Sequence, residues 1–146
     1  MTSIQHRDHA RALLKLVFGL VPIAAGLDKF LNLLTQWDQY LNPIAAQLLP
    51  VSPSIFMEIA GIIEIAVGVA ILTKWTKAGA YIASAWLVLI ALNLLASGAY
   101  LDVAVRDLVM AAGAYTLGHL TAAAESAEPA FGDAANPDET AHAHPV

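Results

Sequence analysis

Hydrophobic residues fall into four long runs that are separated by more polar segments, at about residues 12–30, 55–73, 78–97 and 101–123. Each run is apolar around its whole circumference, whereas a helix in a soluble bundle has one polar face. About 20 apolar residues are enough to cross the hydrocarbon core of a bilayer. The pattern therefore predicts an all-α fold, a bundle of four transmembrane helices that forms one domain over residues 12–124.

Three segments outside the runs complete the predicted organisation. Residues 1–11 form a polar N-terminal segment, and residues 31–54 form a long outer loop that carries Trp37 and Tyr40. These aromatic residues favour the headgroup zone, so the loop is either a short amphipathic piece that caps the bundle or an ordinary loop with interfacial anchors. Residues 125–146 are acidic and rich in Pro and Ala, and they cannot bury enough apolar surface to order themselves. We therefore expect a disordered tail.

Composition supports the bilayer as the surroundings of this chain. The 146 residues are 58% hydrophobic and 13% charged, about half of the roughly 25% charge found in soluble domains. The absence of cysteine excludes disulfides, thiolate-ligated metal centres and thiol redox relays. A net charge of −5 without a basic cluster argues against nucleic acid as a partner. The chain is thus expected to be a multi-pass protein of the cytoplasmic membrane.

Lysine and arginine are distributed unequally between the two sides of the predicted bundle. Five of the seven basic residues fall on the side of the N-terminus and the second connection, and two fall toward the other side. Because cytoplasmic segments carry the excess of Lys and Arg, both termini are predicted to be cytoplasmic. The first group is Arg7, Arg11, Lys15, Lys74 and Lys77, and the second is Lys29 and Arg106.

The few charged and amide side chains at the outer ends of the runs form the candidate site. With a rise of about 1.5 Å per residue and the predicted topology, they fall at one depth in the outer leaflet and come from all four helices. A charge in hydrocarbon is costly and usually faces the bundle interior, where it has a partner or a function. These residues are Asp28, Lys29, Glu58, Asn93, Asp102, Arg106 and Asp107.

Two further patterns concern how these charges are used. Gly61 and Gly68 share one helix face with Glu64, and small residues allow helices in membranes to approach closely. Glu64 lies near the midplane, where it is either an inner proton relay or a protonated residue that joins two helices. Asp102 and Arg106 are spaced i, i+4, which is the geometry of an ion pair on one helix.

The histidines give little support for a metal or haem site. His119 is the only histidine within the runs, so a haem with two histidine ligands has no second ligand on a facing helix. His142 and His144 form an H-x-H pair in the predicted tail, where solvated side chains are the simpler interpretation. We expect no metal and no covalently bound cofactor.

Three short motifs carry a resemblance to a known family. They are Arg11 … Gly19 … Gly26-Leu27-Asp28-Lys29-Phe30, Glu58-x-x-Gly61-x-x-Glu64-x-x-x-Gly68 and Arg106-Asp107-Leu108. Together they resemble the DoxX/DoxD-like family of small four-helix integral membrane proteins, over about residues 11–123. Family members include a membrane subunit of thiosulfate:quinone oxidoreductase and small membrane proteins that tether redox enzymes.

This resemblance implies an accessory membrane subunit of a redox or oxidative-stress complex that is not catalytic alone, so no catalytic residue is assigned. Its outer-leaflet pocket would take quinone, a small substrate or protons, and its partner would be a soluble redox enzyme or a second copy of the chain. The common depth of the charges, rather than the resemblance, suggests their roles: Lys29 and Arg106 would meet an anionic or carbonyl group, Glu58 and Asp107 would accept protons, and Glu64 would be an inner relay. The alternatives are a small-solute or proton-coupled carrier, an assembly factor without a redox role, and a purely structural bundle.

Overall fold

The computed structural model describes residues 3–134, with side chains described for residues 5–127. This part of the chain is helical and has no β-strand, which confirms the predicted all-α class. Its elements are α1 (Ser3–Leu31), a short 3-10 helix (Trp37–Tyr40), α2 (Pro43–Leu48), α3 (Pro53–Leu72), α4 (Thr76–Ser97) and α5 (Leu101–Ala134).

Two predicted helix boundaries are wrong, because helices α1 and α5 extend beyond their apolar runs. α1 begins at Ser3 rather than near residue 12, and α5 continues to Ala134, so the start of the predicted disordered tail is helical. Alanine and glutamate, which follow the last run, are among the strongest helix formers. Extending an existing helix also costs much less than nucleating a new one. The rest of the tail, with His142 and His144, lies outside the described residues.

Short polar motifs set the ends of several helices. Asn42 and Ser52 cap α2 and α3, and the side chain of each accepts a backbone N–H from the first turn. A proline follows each cap, where its missing N–H costs no hydrogen bond and its fixed φ suits the helix. α1 ends where Asn32 takes a left-handed conformation with φ 50°, a common helix stop for Asn and Gly. The connection between α1 and α3 is therefore ordered.

The helices form two closely packed antiparallel pairs, α1 with α3 and α4 with α5, and the pairs contact each other more sparsely. Between α1 and α3, a Cβ atom on Gly26 would lie 2.5 Å from the carbonyl oxygen of Gly61. A Cβ atom on Gly68 would lie 2.5 Å from the carbonyl oxygen of Gly19. Only glycine permits such close backbone approach, so this glycine seam (Gly19, Gly26, Gly61 and Gly68) fixes the register of the pair.

Three of the described helices are long and apolar enough to cross a membrane: α1 over Gln5–Leu31, α3 and α4. Large apolar side chains on their outer faces are exposed, including Leu20, Ile62 and Leu92. Exposed apolar surface of this extent is typical of lipid-facing helices. The structure thus supports a membrane protein. α5 is not among the three helices, so the count of four spans stays a prediction.

Residues 32–52, called the roof below, lie across one end of the bundle. The side chain of Asn93 on α4 holds this segment, because its Nδ2 donates to the carbonyl oxygen of Tyr40 at 2.7 Å. Its Oδ1 accepts the backbone N–H of Asn42 at 3.1 Å. Of the two interpretations that the sequence left open, the structure supports a segment that caps the bundle, built from the 3-10 helix and α2.

Basic residues gather at the end of the bundle opposite to the roof. The Nζ of Lys15 donates to the carbonyl oxygen of Thr73 in the turn between α3 and α4. In the first turn of α4, Lys77 pairs with Glu125 of α5. The sequence placed these lysines on one side of the bundle, and the structure brings them to one end. Which side of a membrane that end faces stays a prediction.

Candidate functional site

A buried ion pair joins α1 and α3 in the interior of the bundle. The Nζ of Lys29 lies 2.6 Å from the Oε2 of Glu64, and the two side chains are only 6% and 10% exposed. Two charges removed from water need good geometry and further hydrogen bonds to offset their desolvation. The groups around this pair therefore decide how much it contributes to the stability of the bundle.

Helix geometry explains why these two residues meet although they lie at different depths. In the antiparallel pair Gly26 faces Gly61, so Lys29 is level with Glu58. Glu64 is about six residues deeper along α3, or about 9 Å at about 1.5 Å per residue. Because side chains in a helix tilt toward its N-terminus, the lysine points away from the roof and the glutamate points toward it. Both side chains are long, and they converge between the two levels.

Two tryptophans and a carboxylate complete the surroundings of the pair. The Nε1 of Trp86 donates to the Oε1 of Glu64 at 3.3 Å. The ring of Trp37, which belongs to the roof, lies 3.8 Å from the Nζ of Lys29, close enough for a cation–π interaction. The same indole donates its N–H to Asp28 at 2.8 Å. Among the described residues no buried side-chain nitrogen or oxygen lacks a partner.

Asp28 links the end of α1 to the roof. Its carboxylate accepts the backbone N–H groups of Leu33 and Leu34 as well as the indole N–H of Trp37. Carboxylates accept such bonds strongly because they carry a charge. Together with Asn93 on α4, Asp28 thus fixes the roof to both helix pairs.

A second ion pair lies at the start of α5, and it is not the predicted one. The Nε of Arg106 lies 3.5 Å from the Oδ1 of Asp107, and the two side chains are 66% and 8% exposed. The predicted pair of Arg106 with Asp102 is wrong. Asp102 is exposed in the first turn of α5. An acidic side chain is favourable there even without an ion pair, because it lies near the free backbone N–H groups of the helix N-terminus. The guanidinium group of Arg106 lies instead beside the buried carboxylate of Asp107.

A cavity of about 730 Å³ lies between the two helix pairs and under the roof. Pockets that bind small molecules usually measure about 300–1,000 Å³ and are mostly apolar with a few polar groups. Apolar side chains of all four long helices line this cavity, among them Pro22, Val67, Leu87 and Met110. Thr35, Trp37 and Tyr40 line it from the roof. The cavity lies between the two helix pairs, which contact each other more sparsely than the helices within each pair do.

The structure brings five of the eight predicted site residues to this cavity: Lys29, Glu64, Asn93, Arg106 and Asp107. The other three do not line it. Asp28 is buried beside the cavity and holds the roof, whereas Glu58 and Asp102 are exposed on the outside of the bundle.

Sequence reasoning missed the two tryptophans that contact the ion pair. The preference of tryptophan for the headgroup zone accounts for Trp37 as an anchor, and Trp86 within the third apolar run is interpreted from the sequence in the same way, as anchoring and packing. Trp86 precedes Asn93 by two helical turns and so lies on the same face of α4, a spacing that could have indicated it. The pairing of Lys29 with Glu64 was missed because the two residues were placed at different depths. The spacing of the glycines on α1 and α3 indicates the register of the two helices, and this pairing could have been predicted from that register.

No protein-family model matches the chain, and no curated protein and no solved structure is significantly similar to it. Among the described residues, no group of His, Asp and Glu side chains is arranged to hold a metal ion. The resemblance to the DoxX/DoxD-like family therefore stays a prediction that rests on the sequence motifs.

Proposed function

We propose that this chain is a four-span protein of the cytoplasmic membrane whose cavity binds a small amphiphilic molecule such as a quinone. On this proposal it is a DoxX-like accessory membrane subunit of a redox or oxidative-stress complex and is not catalytic alone. The observation that carries the proposal is the cavity of about 730 Å³ with a buried ion pair in its wall. A purely structural bundle would be expected to fill such a space, because native cores are close-packed.

The residues around the cavity take different roles in this proposal. Lys29 is the donor for a carbonyl group of the ligand, and Glu64 and Trp37 hold its ammonium group in place. Asp107 is the proton acceptor, because it combines a buried carboxylate with a position in the cavity wall. Glu58 and Asp102 have no role here, since both lie outside the cavity.

The proposed topology includes α5 as the fourth span. α5 packs closely along α4, which is itself long and apolar enough to cross a membrane. A helix that accompanies such a partner would enter the bilayer with it. With the basic end cytoplasmic, as the distribution of Lys and Arg favours, the roof and the upper part of the cavity lie in the outer leaflet.

The experiment that tests the cavity is native mass spectrometry of the chain purified from its own membrane in mild detergent. We expect a bound lipid-like molecule on the wild type, and we expect its loss from Ala60→Leu, which adds side-chain volume to the cavity wall. Ala66→Leu is the matched control, because Ala66 lies on the same helix but is exposed. A wild type that carries no such molecule, or an Ala60→Leu variant that retains it, would contradict the proposal.

The same preparation tests the redox assignment. A soluble redox enzyme that co-purifies in fixed stoichiometry, together with bound quinone, is the expected result. A homo-oligomer without a partner that moves a solute across vesicles would favour the carrier instead.

A further inference from the structure

The charges that line the cavity cancel one another, and this balance restricts the class of ligand. Four charged residues line it in the described structure, Lys29 and Arg106 against Glu64 and Asp107. Each cation already has a carboxylate partner, at 2.6 Å for Lys29 and 3.5 Å for Arg106. The cavity is therefore polar in places but carries no net charge.

An anionic ligand would meet two costs in this cavity. It would lose its hydration without meeting a net positive charge, since Glu64 pairs with Lys29 and Asp107 pairs with Arg106. It would also place a carboxylate or phosphate near the buried carboxylates of Glu64 and Asp107, and like charges repel strongly where water is scarce. A cationic ligand would face the same desolvation and would compete with Lys29 for Glu64. A neutral ligand meets neither cost.

A neutral polar head nevertheless has partners among the lining residues. The Lys29 ammonium group has three N–H donors, and Glu64 accepts one of them. Asn93 and the ring of Trp37 also line the wall. The remaining wall is apolar, which favours a hydrocarbon body. We propose that the cavity selects an uncharged amphiphile, with a carbonyl or amide head and an apolar tail, and rejects the corresponding carboxylate. This proposal rests on the proposed function and specifies its ligand class.

The test compares palmitamide with palmitate, which have the same alkyl chain and differ in the charge of the head. Binding to the purified protein in detergent is measured by competition against the tritium-labelled amide, at about pH 9 so that the fatty acid stays ionised even where water is scarce. For the wild type we expect the amide to bind at least about tenfold more tightly than the carboxylate, a difference of about 1.4 kcal/mol.

The discriminating variant is Glu64→Gln, which keeps the shape of the side chain and leaves Lys29 without a carboxylate partner. We expect palmitate binding to strengthen by about tenfold or more, with a smaller change for palmitamide, so that the preference is lost or reversed. Glu58→Gln is the matched control, because it is the same substitution on the same helix at an exposed position that does not line the cavity. It should keep the wild-type preference.

The outcomes separate this inference from the function on which it rests. If the wild type binds amide and carboxylate equally, or if Glu64→Gln does not change the ratio of the two affinities, charge selection is wrong although the cavity still binds lipids. If neither compound binds the wild type, the inferred ligand class is wrong, and the proposed function itself fails only if native mass spectrometry also finds no bound lipid-like molecule. Should Glu64→Gln not fold, Asp107→Asn removes the other carboxylate of the cavity and should shift the ratio in the same direction, and an unchanged ratio would overturn the inference.

Discussion

Helices in this small bundle pack in two opposite ways. α1 and α3 pack closely against each other, whereas the two helix pairs pack loosely. Along the glycine seam the backbones touch, and a single added Cβ atom would lie 2.5 Å from a carbonyl oxygen. Between the pairs the helices stand apart and leave a partly open cavity of about 730 Å³. The ion pair of Lys29 with Glu64 lies where these two regions meet. It joins the same helices as the seam and also lines the cavity.

The difference shows how a chain of this size can be rigid and still hold a ligand. Glycine at a helix contact brings the two backbones close enough for dispersion forces to act between them. These forces are a main source of helix association in a membrane, because the hydrophobic effect does not drive helices together in lipid. Each pair can then stay together without filling the space between the pairs. Four predictions test this contrast, and they are ordered from the largest expected effect to the smallest.

Removing one member of the ion pair should have the largest effect. Lys29→Met leaves the Glu64 carboxylate buried without a counter-charge, and we expect the free energy of unfolding to fall by about 3–5 kcal/mol. The measurement is denaturation in mixed micelles, followed by circular dichroism. The double variant Lys29→Met/Glu64→Met should recover most of the loss, because an apolar pair of similar volume replaces both charges. Equal stability of Lys29→Met and wild type would show that the pair is not held as the structure describes.

Adding one methyl group to the seam should have the next largest effect. In Gly26→Ala the new Cβ meets the backbone oxygen of Gly61, which cannot move without shifting a helix, so we expect a loss of about 1–3 kcal/mol. The control is Gly113→Ala, whose Cβ would lie 2.7 Å from the ring end of Phe18. The ring of Phe18 also lines the cavity and can shift into it, and Ala is favoured over Gly in helices by about 1 kcal/mol. The same unfolding assay should therefore rank Gly26→Ala well below Gly113→Ala.

Releasing the roof should have a local effect. Asn93→Ala removes two hydrogen bonds to the backbone of the roof, each worth about 1 kcal/mol. We expect amide hydrogen exchange in residues 32–52 to become about 30-fold faster, with little change along α1 and α3. Gln47→Ala, an exposed amide residue in the same segment, should leave the exchange unchanged. Uniform acceleration across the bundle would mean that the roof does not open separately.

Trimming the tryptophan beside the ion pair should have the smallest effect. Trp86→Phe removes the N–H that Glu64 accepts at 3.3 Å but keeps an aromatic ring in the wall. We expect a loss of about 1 kcal/mol in the free energy of unfolding. Trp75→Phe is the control, because Trp75 is 64% exposed, and it should be close to neutral. Equal losses for the two variants would indicate that the Glu64 contact contributes nothing.

Much of the candidate site could be predicted from the sequence. A charged residue within an apolar run has a high free-energy cost in the membrane, and the sequence shows which charged residues lie within the runs. That rule selected Lys29, Glu64 and Asp107, all of which line the cavity. It also selected Glu58, which lies nearer the roof than Glu64 and on an exposed side of α3. The depth of a residue does not show which side of its helix it occupies, and the exposed glutamate was included for that reason.

The sequence by itself determined the helices, because a helix forms its backbone hydrogen bonds within one segment and hydropathy marks which segments can leave water. It did not determine which charged side chains pair. Lys29 and Glu64 are 35 positions apart, and they meet only because the glycine seam sets the register of α1 against α3 and each side chain tilts toward its own helix N-terminus. The space between the helix pairs was likewise decided by tertiary packing, since it depends on how closely whole helices approach.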